Sequence, residues 1–145
     1  GGGRDSRMFP GVGSFSWFVL HLSEIQYSLS SIFYVILGGG LGSAFRYGIS
    51  KAAFSFFPSN LPAGTLLSNI LACLVLGVTL SMATNSSQSW VKYAVIIGFC
   101  GGLSTFSTFS LETVHLIKSG QVFLAGTNVL VSMILCFTIL WFWLK

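Results

Sequence analysis

Four apolar runs, each long enough to cross a bilayer as a helix, fill most of this 145-residue chain. They span about Leu29–Tyr47, Leu61–Ala83, Trp90–Lys118 and Val122–Leu144, and one helical crossing takes about 20 apolar residues. Short breakers separate them: PSNLP at 58–62, TNSSQS at 84–89 and KSGQ at 118–121. Charged residues make up only 7% of the chain, against about 25% in a soluble domain. Such a chain cannot cover a water-facing surface and must sit in a membrane. The runs are too long for barrel strands and lack strict alternation, so the fold expected is an all-α, multi-pass bundle. Residues 29–145 are expected to form a single four-helix transmembrane domain.

Residues 1–28 read differently. GGGRDSR before Met8 has the look of an appended or unstructured tail, and FPGVGSFSWFVLHL after it is apolar but too short to span. It also lacks the basic start and small-residue cleavage site of a signal peptide. A segment lying on the membrane surface and a disordered one both fit.

Charge placement bears on topology. With four crossings, Arg4, Arg7, Lys92 and Lys145 share one side, and Arg46, Lys51 and Lys118 share the other. This near-balance gives almost no orientation preference under the positive-inside rule. A chain that inserts both ways up can pair antiparallel about an axis in the membrane plane; a single uncounted interaction setting one orientation is the alternative. Cys73, Cys100 and Cys136 all fall within spans, are odd in number and lack CxxC spacing, so no disulfide framework or zinc site is implied.

The third run contains GFCGGLSTFSTFSLE, residues 98–112. Lipid offers no partner for freed backbone groups, so a polar break at mid-span must be buried in protein or line a wet cavity. The midpoint of the run is Ser104, and the Gly101-Gly102 pair just before it permits unusual backbone angles. A break there leaves carbonyls on one side, suited to a cation, and N–H groups on the other, suited to an anion. The competing reading is an unbroken helix whose glycines serve close packing.

Beyond the break, Phe106 and Phe109 share a face at i, i+3, with Ser104, Ser107 and Thr108 around them. Aromatic rings have a positive edge. Ring edges plus hydroxyl donors can hold a small anion without a fixed charge that would bind it too tightly for release. Ordinary packing also produces Phe pairs at this spacing. Glu112, the one carboxylate in the four spans, costs about 2.5–3.5 kcal/mol if charged at the membrane centre. Eight residues past the break, roughly 12 Å along a helix, it fits a vestibule or a hydrogen bond to a neighbouring span.

On the second run, Thr65 and Asn69 share a face, and Gly64–Ser68 forms a small-xxx-small contact pair. An amide can donate to an anion or simply glue helices. Gly38–Gly42 and Gly39–Ser43 on the first run permit close backbone approach. Arg46 suits either an anion-attracting mouth or a headgroup anchor. On the fourth run Asn128 and Ser132 share a face. Enzyme signatures are missing: Ser104 lies in GLSTF rather than a nucleophile elbow, His115 is remote from it, and no phosphate loop or metal cluster appears. The basic residues near span ends fit membrane anchoring, with no nucleic acid implied.

GGGLGSAFRY, PAGTLLSN, GFCGGLSTFSTFSLE and NVLVS, in this order and on these runs, closely resemble the CrcB/Fluc fluoride channels over about residues 33–144. That resemblance implies a four-helix subunit in the cell membrane, a third helix broken at mid-membrane, and an antiparallel, dual-topology homodimer. It implies passive fluoride export that protects the cell from fluoride, with chloride excluded. It implies a structural Na+ at the dimer centre, held by backbone carbonyls of Gly101 and Ser104 from both subunits. It places Phe106, Phe109, Asn69, Ser107, Thr108, Glu112 and Arg46 along the fluoride path. Many relatives carry threonine where Ser104 stands; a backbone ligand survives that change. The rival reading is a small proton-coupled multidrug exporter, which needs a carboxylate deep in the first run, where this chain has none.

Overall fold

The computed structural model describes residues 29–58, 61–82 and 89–145. The expectations for residues 1–28 and for the breaker at 84–88 lie outside these. Among the described residues all regular structure is helical, and four helical spans are long and apolar enough to cross a membrane. The chain is a multi-pass membrane protein.

Helix α1 (Leu29–Phe56) is 28 residues long, about 42 Å at 1.5 Å per residue, against a hydrocarbon core of about 30 Å. It runs well past the expected end at Tyr47, because nothing in GISKAAFSF stops a helix and the first breaker is Pro58. Arg46 therefore lies inside α1 rather than at its end. Helix α2 (Ala63–Met82) opens after Pro62, whose carbonyl accepts from the Leu66 N–H at 3.1 Å. Proline is pre-set for that place and has no N–H to leave unpaired.

The third span is composite. Helix α3 (residues 89–103) starts as an α-turn at Ser89–Val91, widens to a π-helix over Lys92–Cys100 and closes with an α-turn at Gly101–Leu103. The chain is then extended at Ser104 (ψ 154°) and Thr105 (φ −154°, ψ 121°). Helix α4 (Phe106–Lys118) resumes the span. The break expected in this span is present, but two residues later than the glycine pair, which is itself helical. Helix α5 (Val122–Trp143) follows a tight turn. There Gly120 takes φ 81°, and the N–H groups of Gly120 and Gln121 return to Ile117 and Leu116 at 3.0 and 2.9 Å. This double closure caps α4 and requires a left-handed residue, which glycine adopts without a Cβ penalty.

Packing follows the small residues. A Cβ on Gly38 would overlap the Ala94 carbonyl, and one on Gly42 the Phe99 carbonyl, so α1 and α3 touch backbone to backbone. Gly102 meets the Gly39 carbonyl in the same way. The expected glycine seam of the first span is thus real, and its partner is the first half of the third span. Phe45 and Phe99 close its edge, ring centroids 5.7 Å apart at 71°. The Gly64–Ser68 pair also behaves as expected: a Cβ on Gly64 would stand 2.8 Å from the Ser50 Cα of α1, and Ser68 is wholly buried. Helix α2 packs in turn on α5. Large apolar side chains dominate the outward faces, as lipid favours.

Candidate functional site

The site begins with a backbone problem. Extended residues at Ser104 and Thr105 forfeit helical hydrogen bonds in the middle of an apolar span, and each unpaired buried group costs about 1–3 kcal/mol. Asn69 resolves it from α2. Its Oδ1 accepts the Thr105 N–H at 2.8 Å and its Nδ2 donates to the Thr105 carbonyl at 3.4 Å. One primary amide thus pairs both main-chain groups of the residue at the break. Thr105 then caps the new helix: its Oγ1 accepts from the Thr108 N–H at 3.2 Å, the role a threonine fills at an N-cap. The same hydroxyl donates to Thr108 Oγ1 at 3.2 Å and lies 3.3 Å from Ser107 Oγ.

Diverting these donors has a consequence upstream. In a continuous helix the Thr105 N–H would bond the Gly101 carbonyl, and the Thr108 N–H the Ser104 carbonyl. Asn69 and Thr105 Oγ1 take those donors instead. The Gly101 and Ser104 carbonyls are left without their helical partners. Gly101 is exposed, and nothing stands within 4 Å of where its Cβ would be.

On the other side of the break lies a groove of about 250 Å³. Asn69, Ser104, Thr105, Phe106 and Phe109 form one wall, and Ser132, Met133, Cys136 and Phe137 of α5 form the other. No charged residue lines it. The Phe106 and Phe109 rings lie 6.0 Å apart, tilted by 37°, yet they differ in setting: Phe109 is 9% exposed and Phe106 75%. Ser132 is buried, and its hydroxyl has no partner. The N-terminus of α4 opens at this groove, so its dipole favours negative charge there.

Glu112 stands apart from the groove. Its Oε1 accepts from Thr65 Oγ1 at 2.8 Å, the neighbouring-span bond that was one of its expected settings. Its Oε2 is buried without a partner, beside a small pocket of about 30 Å³ walled by Ser50, Ala53, Phe54, Pro58, Leu61 and Gly64. Thr65 and Asn69, one turn apart on α2, thus hold α4 at Glu112 and at Thr105.

Of the residues singled out from sequence, Asn69, Ser104, Phe106 and Phe109 meet at the groove, and Ser107 and Thr108 cluster at the Thr105 hydroxyl. Glu112 lies two turns along α4, and Arg46 lies on α1 away from the groove lining. Asn128 acts as glue, donating to Thr113 Oγ1 at 3.3 Å. Sequence reasoning missed Thr105 as the hub. Its signal was a threonine opening the polar half of a broken span, the preferred residue type for a cap. The α5 wall was half visible in the Asn128, Ser132 spacing, while Met133, Cys136 and Phe137 looked like any lipid-facing stretch.

The sequence is similar to a known family. The family model described as "CrcB-like protein, Camphor Resistance (CrcB)" matches residues 33–143. A protein of Geobacter sp. (strain M21) named "Fluoride-specific ion channel FluC" is 36% identical over 115 residues, covering 78% of this chain and 93% of the relative. One of the same name from Coxiella burnetii (strain CbuK_Q154) is 37% identical over 115 residues, 77% of this chain and 92% of its own. Another, from Escherichia coli O1:K1 / APEC, is 43% identical over 108 residues, 73% of this chain and 85% of its own. On the span matched by the family model and the identity and coverage of these relatives, the chain belongs to the CrcB family.

Proposed function

We propose that this protein is a fluoride-selective channel that conducts passively across the cell membrane and lowers internal fluoride. The observation that carries the reading is the Asn69 clamp on Thr105. It holds a helix open at mid-span and presents an α4 N-terminus, hydroxyls and two phenylalanines to an uncharged groove. A small anion shedding water in that groove meets N–H dipoles, hydroxyl donors and ring edges. Without a fixed positive charge the same anion leaves readily. Its named relatives are fluoride channels. Arg46 and Glu112 belong to the approaches of the path in this reading.

The working unit is an antiparallel homodimer. Near-balanced loop charges allow both orientations. Phe106 is mostly exposed on the single chain and gains a setting from a second copy. The Gly101 and Ser104 carbonyls, released by the diverted donors, suit a hard cation, for which oxygen ligands are preferred. Two carbonyls from one chain are too few for a complete shell, and two copies double them. Na+ held there would supply a fixed positive charge at the break and no redox or acid–base chemistry.

The multidrug exporter reading loses support. Helix α1 carries no carboxylate, and the Glu112 carboxyl is engaged by Thr65. Purified protein in liposomes loaded with fluoride is expected to release it down its gradient and to retain chloride. Liposomes that keep their fluoride, or that exchange protons for organic cations instead, end the proposal.

A further inference from the structure

Only one oxygen of the Glu112 carboxylate is engaged. Thr65 donates to Oε1, while Oε2 is buried with no partner. The space beside it measures about 30 Å³, the room of a single water or an unhydrated ion. It lies where the end of α1, the start of α2 and α4 come together, among Ser50, Ala53, Phe54, Pro58, Leu61 and Gly64. Two further oxygens belong to this corner. Ser50 turns its hydroxyl toward Gly64, with Oγ 3.0 Å from where a Cβ on that glycine would stand. Phe54 supplies a main-chain carbonyl. The Phe57 N–H bonds the Ala53 carbonyl at 2.9 Å; the next donor in the ladder would be Pro58, which has no N–H. The Phe54 carbonyl is therefore left without a helical partner. Among the described residues no basic side chain lines the space. Nothing there offsets the carboxylate, whose charge is costly within a membrane span.

We propose that this corner binds a small, hard monovalent cation, of which Na+ is the type, through Glu112 Oε2, Ser50 Oγ and the Phe54 carbonyl. Carboxylate, hydroxyl and carbonyl oxygens are the ligands that hard cations take. A water has two hydrogens for these three acceptors, and it leaves the carboxylate charge uncompensated. A monovalent ion accepts electron pairs from all three oxygens and makes a neutral pair with the carboxylate. A divalent ion leaves a net charge and needs more room: Ca2+ takes about 6–8 oxygens, and Mg2+ keeps several of its waters. Pro58 and Leu61, both exposed, give the ion a way in from the loop side. The bound ion ties α1 to α4 beside the bond by which Thr65 ties α2 to α4. This site is distinct from the Gly101 and Ser104 carbonyls at the break, lies wholly within one chain, and does not rest on the channel reading.

Radiolabelled Na+ is the probe, titrated onto the full-length protein in detergent. Glu112→Gln keeps an acceptor for Thr65 and removes the charge; Ser50→Ala removes a neutral ligand and leaves the carboxylate in place. The parent should bind an additional Na+ per chain relative to Glu112→Gln, and Ser50→Ala should weaken that ion by about tenfold or more, as loss of a supporting group does. Ions held at the break carbonyls count equally in all three proteins and drop out of the difference. The infrared difference between parent and Glu112→Gln should show an ionised carboxylate in Na+, and the band should move when N-methylglucamine replaces Na+. Equal Na+ binding by parent and Glu112→Gln overturns the site and leaves only a water there. A protonated-carboxyl band for Glu112 in Na+ at neutral pH overturns it in favour of a proton. Where Glu112→Gln fails to fold, Ser50→Ala still decides: parental affinity in that variant, folded by circular dichroism, overturns the three-oxygen ligand set.

Discussion

The two halves of the third span solve opposite problems. The α3 half lies against α1 with glycine on both sides, main chain on main chain, and its hydrogen bonds stay within the helix. The α4 half begins where the helix has been broken, and freed backbone groups there are met by the side chains of Asn69 and Thr105, while further on Thr65 bonds the Glu112 carboxylate. One half gains by having no side chains at the contact. The other exists only because particular side chains reach it. In lipid both outcomes follow from a single constraint, that no backbone group can turn to water for a partner.

The largest effect on this contrast should come from Asn69→Leu. It strands the Thr105 N–H and carbonyl together, at about 1–3 kcal/mol for each group left buried and unpaired. Thermal unfolding in detergent should shift down strongly and fluoride efflux should vanish. A variant that melts like the parent would mean that the clamp is incidental.

Gly42→Val attacks the other half. The added Cβ would meet the Phe99 carbonyl and come within 2.8 Å of the Leu103 N, backbone atoms that cannot swing aside. Overpacking of this kind costs about 1–3 kcal/mol, so the melting temperature and the yield of folded protein should fall. Flux per folded molecule should change less than in Asn69→Leu, since neither Gly42 nor the Phe99 and Leu103 backbone it meets lines the groove; equal loss in both would erase the distinction between seam and site.

Phe106→Ile and Phe109→Ile separate packing from conduction. Phe109 is buried and Phe106 mostly exposed, so only Phe109→Ile should cost stability, about 1 kcal/mol or so for a shape change in a packed position. Both should cut efflux. If Phe106→Ile conducts normally, the ring-edge role belongs to Phe109 alone. The smallest effect on conduction is expected from Gly120→Ala, which places a Cβ at φ 81°; left-handed strain costs about 1–2 kcal/mol. Melting should drop with efflux intact, because the turn caps α4 at the end away from the break and does not line the groove.

Much of this was legible in the amino-acid order. Runs of apolar residues between breakers marked the four spans, and Gly38, Gly42, Gly64 and Ser68 marked close contacts, because small residues in a membrane helix have few other uses. Hydroxyls and phenylalanines after Ser104 marked the site. The end of α1 was misjudged, since composition shifts at Tyr47 while the helix obeys only the stop at Pro58. The break was drawn to the glycines, which allow a bend but do not cause one.

By itself, then, the sequence determined that the chain crosses the membrane four times as helices, that its third crossing carries a polar interruption, and which family it resembles. These are local matters of length, polarity and residue order. Only the tertiary structure decided where the interruption falls and what it does. Gly101-Gly102 is helical, with Gly102 packed close to the Gly39 carbonyl, and the chain opens at Ser104–Thr105, where an amide 36 positions away is placed to receive it. A hydrogen bond between distant residues leaves no periodicity to read, and in a membrane it settles which backbone groups are paired and which are not.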